Sequence, residues 1–359
     1  MTGTIGYYVH HHGDGHRQRA IAIALQAPDR FVLLGTGLAG RTEGLACIEL
    51  PDDRPVGTAV FDGADGAGPR PQAILYAPTH HQGVRERVAR ITSWIVAARP
   101  ALMVVDVSIE VAMLSRLAAT PTVYVRQMGL RTDPAHLDAF RGAQAVLCPF
   151  AERLDDPEVE DWIRAKTLYA PGLTATTPAR PIRKDVVLIV MGKGGAVVEG
   201  DRIADCARAH PYLQWRLAGA ISAIKNPPPN LFQMGWRASL ADEIATAGVV
   251  VGGAGNGLVS AVLAADRPFV CLPEARPFDE QMAMGRALEA AGAAVVHPGW
   301  PDDDQWPVLL QEAAAQQPTG RRGLHDPDGG ARTAQRLMAL ADGFSHAACG
   351  DNILHEVMP

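Results

Sequence analysis

Two places in this 359-residue chain put glycine beside groups that can do chemistry. The first is the run Tyr7-Tyr8-Val9-His10-His11-His12-Gly13-Asp14-Gly15-His16-Arg17, in which a strand stops at a glycine turn and restarts as a helix. Parallel α/β sheets bind ligands at the carboxyl ends of their strands, so a side chain placed here faces a ligand crevice. His16 can take a proton from an attacking hydroxyl, because imidazole titrates near neutrality. Asp106 ends the strand expected over 102–105 and reaches the same sheet edge if the two strands share a sheet. Either Asp106 or Ser108 could also cap the helix that follows.

The second place is GGAGNGLVSAVLAADRPFVCLPEARPFDEQ, which runs from Gly252 to Gln281. A strand ends in a glycine cluster and a helix begins directly after it. First-turn N–H groups and the positive end of a helix dipole attract an anion, and glycine lets a phosphate approach the backbone closely. Gly253, Gly255, Asn256, Gly257 and Ser260 are the candidates in this block. Packing alone can also call for glycine in such a turn. Gly192-Lys193-Gly194-Gly195, after the strand over 186–191, adds more glycine and one positive charge.

Three motifs suggest chemistry that their context does not complete. His10, His11 and His12 invite a metal, but adjacent strand side chains alternate and cannot all meet one ion. Polar lining of a cleft suits His11 or His12 better, with one neighbour buried, and no metal site is expected. Gly35-Thr36-Gly37-Leu38-Ala39-Gly40 fits the dinucleotide fingerprint, yet it follows the second strand and leads into 41–50, which has little helical periodicity. Gly192 to Gly195 lacks both the glycine spacing and the Ser or Thr after Lys of a P-loop.

The elements that must position these residues alternate along the chain. Short apolar runs are followed by longer stretches of helical period, the pattern of parallel sheets covered by helices. In the first half, strands are expected over 5–9, 31–34, 73–76, 102–105, 122–126 and 145–148, with helices over 15–25, 84–98 and 109–118. Val84, Val88, Ile91 and Ile95 share one face of the second helix, which packs it on a sheet. The segment 171–185, with four Pro or Gly residues among Thr and Ala, reads as a linker. Strands over 186–191, 214–217, 249–251 and 269–272 then alternate with helices over 201–209, 258–265 and 280–291, and a last helix spans 331–341. The fold class is α/β, with two Rossmann-like parallel-sheet domains over 1–172 and 185–325, a linker over 173–184, and a C-terminal helix and tail over 326–359.

Composition narrows the function. This length suits two domains, and 47% hydrophobic with 20% charged residues is that of a soluble globular protein. No apolar run has membrane-spanning length and the N-terminus lacks a secretory pattern, so a cytoplasmic location is expected. Five cysteines, at 47, 148, 206, 271 and 349, form no C-x-x-C pair and suggest core residues. A net charge of −6 argues against a nucleic-acid partner.

Taken in order, these motifs resemble the GT-B glycosyltransferases, particularly the MurG-like and natural-product or plant UDP-sugar transferases. Those enzymes carry a Gly-rich turn, a helix, a Pro-led strand and then an acidic-Gln pair. Counted back from Pro268, Gly255 matches their phosphate-loop glycine, while Glu280 and Gln281 match the pair that holds sugar hydroxyls. Gly235-Trp236 matches the segment whose backbone reads the nucleobase, and Gly192 to Gly195 matches the first turn of their second domain. Gly13-Asp14-Gly15-His16 looks like their N-terminal Gly-x-Gly-His turn, whose His is the base, and Asp106 matches an Asp that orients it in plant-type relatives. Two positions depart from the pattern: Gly253 stands where many members have a phosphate-touching His, and Ala261 where many have a ribose-binding Glu.

The resemblance implies two domains facing across a cleft, with the acceptor on the first and a nucleotide-sugar donor on the second. It implies inverting, metal-independent transfer to an acceptor hydroxyl or amine, with UDP-sugar as the default donor and no cofactor. Gly13, Gly15, Gly192, Lys193, Gly194, Gly195, Trp236, Gly253, Gly255, Asn256, Gly257, Ser260, Glu280 and Gln281 would bind the donor. The acceptor is unidentified and would be chosen by loops such as 76–85, with His80 and His81, and 127–136. Peripheral membrane contact stays open, without an exposed basic amphipathic helix to support it. One alternative is a nucleotide-sugar hydrolase or 2-epimerase, because Gly15-His16-Arg17-Gln18-Arg19 meets the Gly-His-x-x-Arg pattern of a related hydrolase group. The other is a non-catalytic accessory subunit, suggested by Gly253 and Ala261.

Overall fold

The computed structural model describes residues 3–11, 13–54, 74, 77, 80–174, 180–192, 200–219, 221–237 and 239–350. Its first half holds β1 (Ile5–Val9), β2 (Phe31–Gly35), β3 (Cys47–Glu49), β4 (Leu102–Asp106), β5 (Thr122–Val125), β6 (Ala145–Cys148) and β7 (Thr167–Tyr169). These form a wholly parallel sheet in the order β3-β2-β1-β4-β5-β6-β7. Helices α1 (Asp14–Ala24), α2 (Gln82–Ala98), α3 (Ile109–Leu117), α4 (Pro134–Gly142) and α5 (Asp161–Arg164) connect them. A parallel sheet covered on both faces needs strands that are apolar throughout, and Leu102, Met103, Val104 and Val105 are all fully buried. Packing is tight enough at β1 that a Cβ on Gly6 would lie 2.8 Å from the Trp94 ring of α2.

The second half repeats the plan. β8 (Arg183–Met191), β9 (Gln214–Gly219), β10 (Leu231–Gly235), β11 (Ala247–Gly252), β12 (Phe269–Cys271) and β13 (Val295–Val296) form a second parallel sheet, ordered β10-β9-β8-β11-β12-β13. α6 (Gly200–Ala209), α7 (Ala241–Thr246), α8 (Asn256–Ala264), α9 (Glu280–Ala290) and α10 (Trp306–Ala315) cover it. The last helix, α11 (Gly329–Gly350), returns to the first half, where Ala334, Leu337 and Ala341 are buried in one cluster with Ile23, Leu33 and Val104. No helix among the described residues is long and apolar enough to cross a membrane.

The halves share an apolar seam in which Met128, Phe150, Ala151 and Leu154 join Ala254, Val259, Met284 and Leu288. The expected central strands are present, whereas the strand expected over 73–76 lies largely outside the described residues. β3, β7, β10, β13, α4, α5, α7 and α10 are elements that apolar periodicity did not announce. In each sheet the strand order reverses at the first strand, between β1 and β4 and between β8 and β11. Such switch points open a crevice at the strands' carboxyl ends.

Candidate active site

The crevice at the first switch point holds His16 and Asp106. β1 ends at Val9, and the chain turns at Gly13, whose φ of 88° disfavours any residue with a Cβ. It then enters α1, which carries His16 on its first turn. Asp106 is the last residue of β4 and fully buried. His16 Nδ1 lies 3.0 Å from Asp106 Oδ1. The helix after β4 is capped by Ser108, whose hydroxyl accepts from Val111 N–H at 3.2 Å, so Asp106 is spared that duty. Between them Val107 adopts φ 51°, a strained value for a β-branched residue. The tight turn is closed by Ser108 N–H donating to Asp106 C=O at 2.7 Å, and the Tyr124 hydroxyl donates to Val107 C=O at 2.6 Å.

Sequence reasoning did not assign Arg19 or Gln127 to the site. Arg19 is 5% exposed, and its Nη2 donates to both Asp106 oxygens, at 2.8 and 2.7 Å, while lying 3.0 Å from His16 Nδ1. With the Gln127 carboxamide oxygen turned toward the guanidinium, that oxygen accepts from Arg19 Nη1 at 3.2 Å and Nη2 at 3.0 Å. Burial alone would raise the Asp106 carboxyl, but the Arg19 guanidinium and the His16 ring overcome it and hold it down at about 2. Burial, with Asp106 nearby, pushes the Tyr7 phenol well up, so Tyr7 stays neutral beside the pair. The spacing of His16 and Arg19, three apart and hence on one helix face, was the available clue.

The neighbouring histidines divide. The His10 ring lies 5.3 Å from that of His16 and stacks at 4.8 Å on His11. His11 Nδ1 is 3.3 Å from Asp53, and burial lowers the His11 pKa. The His11, Asp52 and Asp53 ligand atoms fall within 4.8 Å of one another. Both carboxylates already carry cations, Arg54 on Asp52 and Arg87 at 3.1 Å from Asp53. His12 lies outside the described residues. His81 caps α2 by accepting from Val84 N–H at 3.3 Å, and His80 is exposed beside it. Cys148 and Cys271 are buried, which pushes both thiols up to about 12.

The second switch point holds the glycine loop. β11 ends at Gly252, Gly255 is the N-cap residue of α8, and no side chain caps that helix. Among the described residues, a Cβ on Gly255 or Gly257 would meet nothing within 4 Å, and the same holds for Gly192, Gly13 and Gly15. Gly253 differs, since its Cβ would lie 2.8 Å from Gln281 Oε1. That buried oxygen accepts from Ala254 N–H at 2.9 Å and Glu274 N–H at 3.1 Å, so Gln281 ties the glycine loop to the segment after β12. Ser260 accepts from the Thr174 hydroxyl at 2.9 Å, at the linker. Asn256 and Ser260 help line a small cavity with Phe150 and Pro171. Trp236 follows β10 and is 50% exposed, Ala261 is half-buried against the core, and Lys193, Gly194 and Gly195 lie outside the described residues.

Glu280 is engaged across the domains. Arg131 lies 3.3 Å from its carboxylate and stacks over the Phe278 ring at 4.9 Å, while Leu130 N–H donates to Phe278 C=O at 2.7 Å. The backbones come so close that a Cβ on Gly129 would lie 2.2 Å from the Phe278 oxygen. Phe278 and Asp279 both hold left-handed φ values, 62° and 57°, strain that this cross-domain grip sustains.

No protein-family profile and no curated protein sequence matches the chain. Solved structures do. The glycosyltransferase of kitacinnamycin superposes with a TM-score of 0.69 at 15% identity, over 95% of this chain and 100% of that one. CalG4, the calicheamicin glycosyltransferase, gives 0.64 at 16% identity over 100% of both chains. The spinosyn rhamnosyltransferase SpnG, complexed with thymidine diphosphate, gives 0.62 at 15% identity over 95% and 96%. With two parallel-sheet domains built around two switch points, the chain has the GT-B fold of these glycosyltransferases.

Proposed function

We propose that the chain is an inverting, metal-independent glycosyltransferase that moves a sugar from a nucleoside-diphosphate sugar to an acceptor hydroxyl or amine. The observation that carries this is the His16–Asp106 pair at one switch point of a GT-B fold whose other switch point presents an uncapped, glycine-opened helix start. Asp106 accepts at Nδ1, which leaves Nε2 to take the acceptor proton. As the acceptor oxygen bonds the anomeric carbon, the bond from that carbon to the diphosphate oxygen breaks, and the nucleoside diphosphate leaves with its added charge. N–H groups at the start of α8 are placed to stabilise that charge without reorganising. Lys193 adds a cation in this reading, and Glu280 faces the sugar.

UDP-sugars remain the default donors. A dTDP-sugar is the second choice, because SpnG was captured with thymidine diphosphate and Ala261 offers no carboxylate to a ribose diol. Two neighbours are a calicheamicin glycosyltransferase and a spinosyn rhamnosyltransferase, so compounds of those two kinds lead the acceptor panel. The protein would work in the cytoplasm.

The test incubates the protein with UDP-, dTDP- and GDP-sugars, with and without acceptors, and follows nucleotide release. Acceptor-dependent release is expected. Release to free sugar without acceptor would favour a hydrolase or epimerase, and binding without turnover an accessory subunit. His16→Ala should cost about 10² to 10⁴ in kcat, and a loss under about threefold would remove the base assignment.

A further inference from the structure

Arg19 has a share in the His16–Asp106 pair that simple orientation by a carboxylate does not need. It sits one turn beyond His16 on α1, buried, with its charge satisfied by Asp106 and by the Gln127 oxygen. Proton counting constrains the cluster. A guanidinium only donates and an ionised carboxylate only accepts. Arg19 Nη2 also lies 3.0 Å from His16 Nδ1, but its two protons already face the Asp106 oxygens and the Gln127 oxygen. An Nδ1 lone pair would therefore have no proton to accept and would point at a carboxylate oxygen 3.0 Å away. If Nδ1 carries the proton, that proton goes to Asp106 Oδ1, and the Arg19 protons go to Asp106 and Gln127. The Nδ1 and Nη2 protons then have acceptors, while Arg19 Nε has no hydrogen-bond partner among the described residues.

We propose that Arg19 is a positioning residue that locks Asp106 onto His16, fixes the Nδ1–H tautomer, and cancels the carboxylate's charge so that the ring is free to act as a base. An uncancelled buried carboxylate beside the ring would favour the imidazolium, which has no lone pair to offer. The other titratable and charged groups on these elements are His10 after β1, whose ring lies 5.3 Å from that of His16, and Tyr7 on β1, which interacts with Asp106 and Arg19. On α1 they are Asp14 and Arg17, with Asp14 paired to Arg17 at 3.1 Å and Arg41 at 2.9 Å. Among the described residues Arg19 is the cation in direct contact with the pair, and its removal should change the protonation balance there.

This assignment rests on His16 being the base, and two measurements separate the two ideas. Imidazole ¹⁵N NMR of the wild-type protein without substrate should show His16 as the Nδ1–H tautomer at neutral pH. An Nε2–H tautomer would overturn the proposal, whatever the enzyme catalyses. In the kcat/KM profile, Arg19→Met should move the acidic limb up by about one pH unit, which lowers the rate by about tenfold at pH values well below the limb. Arg19→Lys, which keeps the charge, should hold the limb within about half a unit. A uniform loss in Arg19→Met with an unmoved limb would show a purely structural role. Where Arg19→Met does not fold, the wild-type tautomer and the Arg19→Lys profile decide. Loss of the His16→Ala effect with the tautomer intact would instead sink the base assignment.

Discussion

Gly257→Ala is expected to stabilise the fold while weakening the donor site. Gly257 is exposed, on the first turn of α8, and a Cβ there meets nothing within 4 Å. Alanine in a helix is better than glycine by up to about 1 kcal/mol, and a first-turn position realises about half of that. In a domain of this size the gain is a rise of about 1–2 °C in Tm. The same methyl occupies the space through which a phosphate would reach the first-turn N–H groups. Losing one charge-assisted hydrogen bond costs about 1.5–3 kcal/mol, or about 10- to 100-fold in Kd. Differential scanning calorimetry of the free protein and titration calorimetry with UDP and dTDP measure both. Gly253→Ala is the control of opposite sign: its methyl strikes Gln281 Oε1, breaks the tie to Ala254 and Glu274, and should lower Tm by about 3–5 °C. Nucleotide affinity within twofold of wild type in Gly257→Ala would refute a phosphate at this helix start.

Acid should loosen the first domain through Asp106. Its folded carboxyl is held at about 2, below its ordinary value of 3.8, so its contribution is present above about pH 4 and is lost as pH falls toward 2. The loss amounts to about 2 kcal/mol. Urea midpoints should show that slope in wild type and its absence in Asp106→Asn, which starts lower because Arg19 is left uncompensated. Gly129→Ala should separate the halves at the Phe278 contact, and small-angle scattering should detect a larger radius of gyration; an unchanged radius would mean that the grip does not hold the domains. Glu49→Gln should cost about 1–2 kcal/mol by removing the charge that the 37–39 backbone N–H groups receive. A Tm shift below 1 °C would count against that role.

The central strands of both sheets were legible because a doubly covered parallel strand must be apolar at every position, as in Leu102 to Val105. Elements set by other physics were not. β7 and β13 are too short to show a period. α4 begins with Asp133 capping and Pro134 at its first position, and a Pro-bearing start reads as loop when apolar spacing is the guide. The His16–Asp106 pairing followed from where the strands end. Arg19 stood out in the sequence only as the Arg of a Gly-His-x-x-Arg pattern, and its role was hidden because the carboxylate that neutralises it lies 87 positions away.

The two glycine loops show most clearly where sequence spacing stops being informative. Gly35 to Gly40 satisfies the dinucleotide fingerprint, and its backbone does form an anion-binding concavity: the N–H groups of Gly37, Leu38 and Ala39 converge on one carboxylate. That carboxylate belongs to Glu49, from the end of β3, so the fold fills the site with its own side chain. β2 also lies off the switch point, one strand away from the crevice between β1 and β4. The loop from Gly252 to Gly257 has the poorer motif and the better position, at the switch point between β8 and β11, with no side-chain cap and open space at Gly255 and Gly257. Both loops can hold an anion. What separates them is whether the chain supplies that anion itself and whether strand order leaves a crevice above the loop, and neither property is carried by glycine spacing.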